Sequence, residues 1–421
     1  LAIRTSNPQS LQVSTENSVN ILSLPVIAAA LGYFVDIYDL LLFSIIRIKS
    51  LKALGLSDLQ CDTEGKFIIS LQMYGFIIGG IIWGILGDKK GRISILFGSI
   101  ILYSLTNIAN GLVQNTDQYA IARFFSGIGL SGELGASITL VSELVSKEKR
   151  SRATSLISGF GLTGAVAAYF VARWFDWRVA YFLGGALGLC LLFLRLQVFE
   201  SGMFEKIQRS DILRGDFFML FNSRRRFKNY ILSILLGLPS WYVVGILFTF
   251  SREFATRFKF QNAAAVDPGR LIMFAYITGS VGSFSSGFIS HWMKSRKKAF
   301  VLFYAWTSIF IILYFFQQGG TPEMMYLITM TMGFGTGFWA LFVTMAAEHF
   351  GTNLRATAAT TVPNMARGSL PLMLIIFESI EHSAGYIAAG AITGIIVMGT
   401  SFFALYMTEE TYGKDLNFIE T

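Results

Sequence analysis

Polar residues in this chain fall into short groups separated by long apolar runs. Residues 1–20 are polar, and apolar stretches then cover about 21–46, 67–87, 92–113, 119–144, 152–173 and 177–199. A polar, basic stretch at 200–228 follows, and further runs cover about 229–250, 269–290, 299–316, 324–347, 356–377 and 384–407 before the tail 408–421. A helix needs roughly 20 apolar residues to cross a bilayer. Lipid offers backbone groups no partner, so spanning runs of this kind are helical. The pattern predicts an all-α membrane protein of twelve transmembrane helices. An N-terminal segment (1–20) precedes a first six-helix half (21–199), a linker (200–228), a second half (229–407) and a tail (408–421). Several spans are rich in glycine, as close helix packing in lipid favours. The first span is too long for a cleavable leader and is followed by more spans.

Composition agrees with the pattern. Of 421 residues, 53% are hydrophobic and 14% charged, with mean hydropathy +0.56, whereas soluble domains carry about 25% charged residues. The net charge of +8 does not point to nucleic acid, because the basic residues sit in short loops where topology and anionic lipid explain them. One set of loops, including 200–228 and the connections after the second, fourth, eighth and tenth spans, holds most of them. The opposite loops hold Arg47, Lys49, Lys52, Lys66, Arg173, Arg178, Arg252, Arg257, Lys259 and Arg270. The bias predicts that both termini and the linker are cytoplasmic. Cys61 and Cys190 are too few for a disulfide framework, and His291, His349 and His382 are scattered with no metal-ligand spacing.

An internal repeat divides the chain. GILGD at 84–88 recurs as GFISH at 287–291, and RAT at 152–154 recurs at 355–357, both at an offset of 203 residues. Gly127, Gly129 and Gly132 find a looser echo in Gly333, Gly335 and Gly337. The two halves are therefore pseudo-symmetric.

Further motifs carry a family likeness. GILGDKKGR at 84–92 resembles the signature loop of the major facilitator superfamily, G-x-x-x-D-[RK]-x-G-R. RFFSGIGLSGE at 123–133 resembles that superfamily's R-x-x-x-G-x-G pattern, with the GE ending of its sugar-porter and metabolite:proton symporter branches. Glu143 followed by KEKRSRAT, the DWR at 176–178, FESGMFEKI at 199–207 and EETYGKDLNFIE at 409–420 resemble further family signals. His291 replaces the signature Asp in the second half, with one residue added before Arg296. Gly202 and Glu409 replace prolines of the sugar-porter motifs.

The intramembrane charges are the candidate chemistry. Asp36 and Asp39 lie in the apolar stretch LGYFVDIYDLLLF at 31–43, where each carboxylate costs on the order of 2.5–3.5 kcal/mol to insert. Resemblance pairs Asp39 with Arg123. An Asp beside Arg stays ionised, and an isolated one in an apolar site takes up a proton, so the pair can act as a proton switch. The plainer alternative is a static ion pair that fixes helix packing. Asp36 either shares the proton site or contacts substrate. Glu133 is either a second proton carrier or a hydrogen-bond partner for backbone near the glycines. Arg367, after Pro363 and Asn364, suits a substrate carboxylate, a structural ion pair or a snorkelling position. Asn364, Trp241, Tyr242 and Trp339 are candidate substrate contacts, though most aromatics in such a chain only pack. Gly84, Asp88, Gly91, Arg92, Glu143, Arg152 and Arg355 form a cytoplasmic gate by resemblance, closing the inside in one state; Lys89 and Lys90 serve topology. His291 weakens the matching latch of the second half.

These features predict a secondary active transporter in a bacterial inner membrane, working as a monomer by alternating access. It needs no cofactor, since the proton gradient drives it, and no GxxxxGK[ST] motif occurs for ATP. Acids in the first half facing a base in the second favour proton symport of a small carboxylate-bearing metabolite. A sugar or polyol porter, a proton-antiport exporter of a siderophore or drug, and a non-transporting receptor are the alternatives. An enzyme is disfavoured because no nucleophile–base or metal cluster stands out.

Overall fold

The computed structural model describes residues 23–145, 147–195, 217–414 and 420, and all regular structure among them is helical. In the first half the helices are α1 (Leu24–Ala53), α2 (Asp58–Lys90), α3 (Arg92–Leu112), α4 (Thr116–Leu130), α5 (Glu133–Leu144), α6 (Lys147–Leu162), α7 (Gly164–Trp174) and α8 (Trp177–Arg195). The second half begins with α9 (Arg224–Tyr242), which continues as a π-helical stretch, Val243–Phe248. Next come α10 (Ser251–Arg257), α11 (Pro268–Trp292), α12 (Arg296–Phe315), α13 (Pro322–Gly335), α14 (Trp339–Glu348), α15 (Arg355–Gly368), α16 (Leu370–Ala384) and α17 (Tyr386–Met407).

Ten segments among the described residues are long and apolar enough to cross a bilayer. The fourth and eleventh expected spans are instead pairs of helices, α4 with α5 and α15 with α16. These two carry Arg123, Glu133, Asn364 and Arg367, which lower their apolarity and face the protein interior as buried groups. Helix α9 starts at Arg224, inside the stretch read as linker, because a helix satisfies its own backbone and basic residues propagate it well. The rest of that stretch up to residue 216, and residues 1–20, lie outside the described residues.

Packing follows from side-chain size. Helix α1 is apolar on nearly every side, and Val26, Tyr38, Leu42, Phe43 and Leu51 are fully buried, as expected of a helix inside a bundle. Phe288, Ile395, Phe403 and Tyr406 are exposed on the outer helix faces, where lipid covers them. Helix α2 packs against α4 through Gly75 and Gly127: a Cβ on Gly75 would overlap the Phe124 carbonyl, and one on Gly127 the Gln72 carbonyl. Gly282 and Gly337 meet in the same way between the eighth and tenth spans. The Tyr38 hydroxyl donates to the Ala180 carbonyl at 2.8 Å, and the Tyr242 hydroxyl to the Gly390 carbonyl at 2.7 Å. Each half thus ties its first span to its sixth by a tyrosine. The halves meet along two seams, α2 against α15 and α6 against α11.

Candidate substrate and proton site

Residues three or four apart share a helix face, and Tyr33, Ile37 and Leu40 of α1 line a cavity between the halves. Its other walls are Leu162 of α6, Ser240 and Trp241 of α9, Val244, Tyr276 and Gly279 of α11, Thr336, Trp339 of α14 and Arg367 of α15. About 30 Å³ is open to the centres of water molecules, room for two or three at about 10–15 Å³ each.

Asp36, on the same α1 face, is fully buried with Oδ2 3.6 Å from Arg367 Nη2. The two are 331 positions apart in sequence and belong to opposite halves. At that distance the contact is a long one, and charge attraction is its main part, with a weak hydrogen-bond contribution from the guanidinium. Arg367 Nη1 donates to Asn364 Oδ1 at 3.1 Å, and the guanidinium lies 4.8 Å over the Phe76 ring and 5.9 Å from the rings of both Trp241 and Trp339. The two indoles meet edge to face at 6.4 Å; the Trp339 N–H is drawn to the Tyr33 hydroxyl, and the Trp241 N–H has no hydrogen-bond partner among the described residues. An arginine, indole donors and aromatic faces together have the chemistry to hold a planar anion. Glu133 accepts from Ser137 Oγ at 2.9 Å and lies close enough to Asp36 to repel it.

The first-half pairing differs from expectation. Arg123 Nη2 donates to the Asp39 main-chain carbonyl at 3.1 Å, and no ion pair joins the two side chains among the described residues. The guanidinium lies over Phe43 and Tyr181, at 5.9 and 5.7 Å, while the Asp39 carboxyl sits beside Gly184 and Asn107. Rings on one side and the space left by a glycine on the other hold the two charges apart, although Arg123 still attracts the carboxylate. Two substrate candidates are also placed otherwise. Tyr242 is turned towards α17 by its bond to Gly390. Asn364 donates to the Ser131 and Thr360 carbonyls, at 2.7 and 2.8 Å, while accepting from Arg367, so it bridges the halves and positions the arginine.

Sequence reasoning missed Tyr33, Ser240 and Tyr276. For Tyr33 the signal was available, since it precedes Asp36 by three residues on the same helix face.

At the end of the bundle that carries the 84–92 loop, Asp88 Oδ2 accepts from the Thr357 amide at 2.8 Å and the Thr357 hydroxyl at 2.6 Å. A first-half acid thus caps the N-terminus of α15 in the second half, satisfying a free amide and the positive helix end. Gly84 packs directly on Thr357, and Gly91 turns the chain into α3 at φ 99°, which only glycine adopts easily. Arg355 is buried at the start of α15. The side chains of Arg92, Glu143 and Arg152 lie outside the described residues. In the second half, Arg296 pairs with Glu348 at 3.0 Å, and His291 meets the Tyr412 hydroxyl at 3.1 Å. At the other end, buried Arg47 pairs with Glu253 at 2.6 Å, and Lys66 reaches Asp62 at 3.0 Å and both Glu378 and Glu381 at 3.8 Å. Polar contacts thus join the halves at both ends.

Two pseudo-symmetric helical halves with charges buried between them define a carrier that can open one central site to either side in turn. Residues 18–374 match the Major Facilitator Superfamily, and the chain belongs to it. It is 26% identical over 385 residues to a probable 4-methylmuconolactone transporter of Cupriavidus pinatubonensis, covering 88% of this chain and 82% of that one. It is 25% identical to the cis,cis-muconate transport protein of Acinetobacter baylyi, covering 91% and 94%. A solved proton:xylose symporter shares the fold at a TM-score of 0.70 with 17% identity, covering 94% and 97%. The protein is a membrane transporter of this superfamily.

Proposed function

We propose that the protein is a proton symporter for a small carboxylate-bearing metabolite, and that substrate and proton compete for the Asp36–Arg367 pair. The observation that carries this reading is the buried ion pair joining the halves at the cavity wall. A substrate carboxylate entering from the outside takes Arg367 by paired hydrogen bonds. Asp36, deprived of its counter-ion in an apolar site and repelled by Glu133, takes up a proton. The loaded site is then neutral enough to cross, and release of both on the other side restores the pair. The muconate relative, named for a carboxylate, supports the substrate class. The charge bias of the loops supports an inner-membrane orientation with the 84–92 loop in the cytoplasm.

Flux in proteoliposomes tests this. An inward proton gradient should accelerate uptake of a carboxylate substrate. Arg367→Gln should weaken its binding by about 10- to 100-fold, the value of a charge-assisted hydrogen bond at about 1.5–3 kcal/mol. Asp36→Asn should bind substrate with little dependence on pH and exchange it without responding to the gradient. Undiminished carboxylate affinity in the Arg367 variant, or uptake of neutral sugars alone, would sink the reading.

A further inference from the structure

A second and larger pocket, with about 410 Å³ open by the same measure, lies at the end of the bundle opposite the 84–92 loop. It straddles the seam between α1 and α7 of the first half and α10 and α11 of the second. Lys49, Lys52, Arg173, Arg252 and Arg270 line it with one carboxylate, Asp267. These five are half of the ten basic residues at this end, and all five lie near helix ends. Topology does not explain them, because the charge bias places cations at the other end.

The local contacts leave most of the positive charge uncompensated, since five cations face two carboxylates, Asp267 in the lining and Asp58 beside Lys52. Arg173 Nη1 and Arg270 Nε, from opposite halves, both donate to the Tyr169 hydroxyl, at 3.3 and 3.5 Å. Lys49 donates to the Ala172 and Phe175 carbonyls. Arg252 donates to the Ala264 carbonyl, and its buried Nε has no partner among the described residues. Asp267 accepts from the Gly269 amide at 3.0 Å and also attracts Arg270; among the described residues Lys52 alone of the five has an ion-pair partner within 4 Å, the exposed Asp58 at 2.7 Å. Two guanidiniums that converge on one phenol, with more cations around them, have the geometry and charge that suit an oxyanion.

We propose that this seam pocket binds an oxyanion, a phosphate or carboxylate, between Arg173 and Arg270, and that the bound anion ties the halves together at this end. The chemistry fits a phospholipid headgroup and a soluble organic acid alike. The site is separate from Arg367 and does not rest on the substrate assigned above.

The test uses the purified full chain in a neutral detergent, stripped of lipid, at constant ionic strength. Inorganic phosphate, benzoate and phosphatidylglycerol are titrated separately, with phosphatidylcholine as control, and thermal unfolding is followed. A saturable rise in Tm is expected with at least one anion, lost in Arg173→Gln/Arg270→Gln and in Arg252→Gln. It should persist in Arg173→Lys/Arg270→Lys and in Arg257→Gln, a cation at the same end but outside the pocket. A response to phosphatidylglycerol alone identifies a headgroup site; a response to phosphate or benzoate identifies a soluble ligand. No rise with any anion overturns the proposal. So does a rise that survives both Gln variants and disappears only in Arg367→Gln, which belongs to the central site.

Discussion

Arg367 serves two masters in this structure. Its Nη2 faces Asp36 across the halves while its Nη1 is fixed by Asn364, so orientation and charge balance come from different neighbours. That separation makes a prediction. Asn364→Ala should leave Asp36 and Arg367 charged but loosen the guanidinium, weakening substrate binding about 3- to 10-fold, as expected for one hydrogen bond of about 0.5–1.5 kcal/mol. Equilibrium binding measures this, and an effect as large as that of Arg367→Gln would mean that Asn364 itself contacts the substrate. The types of these residues were legible in the sequence, since charges in apolar spans stand out. Their partners were not. Whether Asp36 or Asp39 meets an arginine depends on how two halves dock, and on a glycine at 184 that makes room for the Asp39 carboxyl. No spacing along the chain carries that information.

At the scale of elements, the two halves and most spans could be read because lipid forces backbone pairing within each apolar run. Helix ends could not, since a helix continues past its apolar stretch wherever polar residues still propagate it. Helix α1 runs to Ala53 and α2 starts at Asp58, so Arg47 and Lys66, read as loop cations, are helical and buried against the other half. The Asp88 cap on α15 predicts that Asp88→Ala costs about 0.5–2 kcal/mol of the state closed at that end. In a background without Cys61 and Cys190, a cysteine at Thr361 should then be labelled several-fold faster by a soluble maleimide. An unchanged rate would reduce Asp88 to a topological role.

The tail offers a second test at this scale. Burial raises the pKa of Glu410, but hydrogen bonds from Ser295 and from the Tyr412, Arg296 and Lys297 amides outweigh it and hold the carboxyl below its usual range. A depressed folded pKa means that the contribution is complete above the unfolded value of about 4.3 and is lost as pH falls through the folded one. Hydrogen exchange over residues 408–414 should therefore stay slow down to about pH 4 and rise below it. Glu410→Gln should exchange faster already at neutral pH, with a flatter acid response.

In the whole molecule, contacts join the halves at both ends, and the cavity between them is too small for an organic acid. Motion between the halves must break either the Asp88 cap or the Arg47–Glu253 pair, and the difference between them biases the equilibrium. Glu253→Gln leaves a buried arginine without its counter-charge and should shift the population towards opening at the Arg47 end. Spectroscopic distances across that end would lengthen, while those beside Asp88 would not. Equal changes at both ends would mean that the halves do not move as units.

The cross-half ion pair also has an electrical consequence. When one monovalent carboxylate displaces Asp36 from Arg367 and one proton neutralises Asp36, the cargo that crosses has no net charge. A membrane potential does about 2.3 kcal/mol of work per elementary charge for each 100 mV, and on this cargo it does none. Uptake of a monocarboxylate should follow the pH difference and ignore an imposed potassium diffusion potential. A dicarboxylate carried with the same single proton would be driven outward by an inside-negative potential, so voltage sensitivity measured in vesicles reports the charge of the physiological substrate.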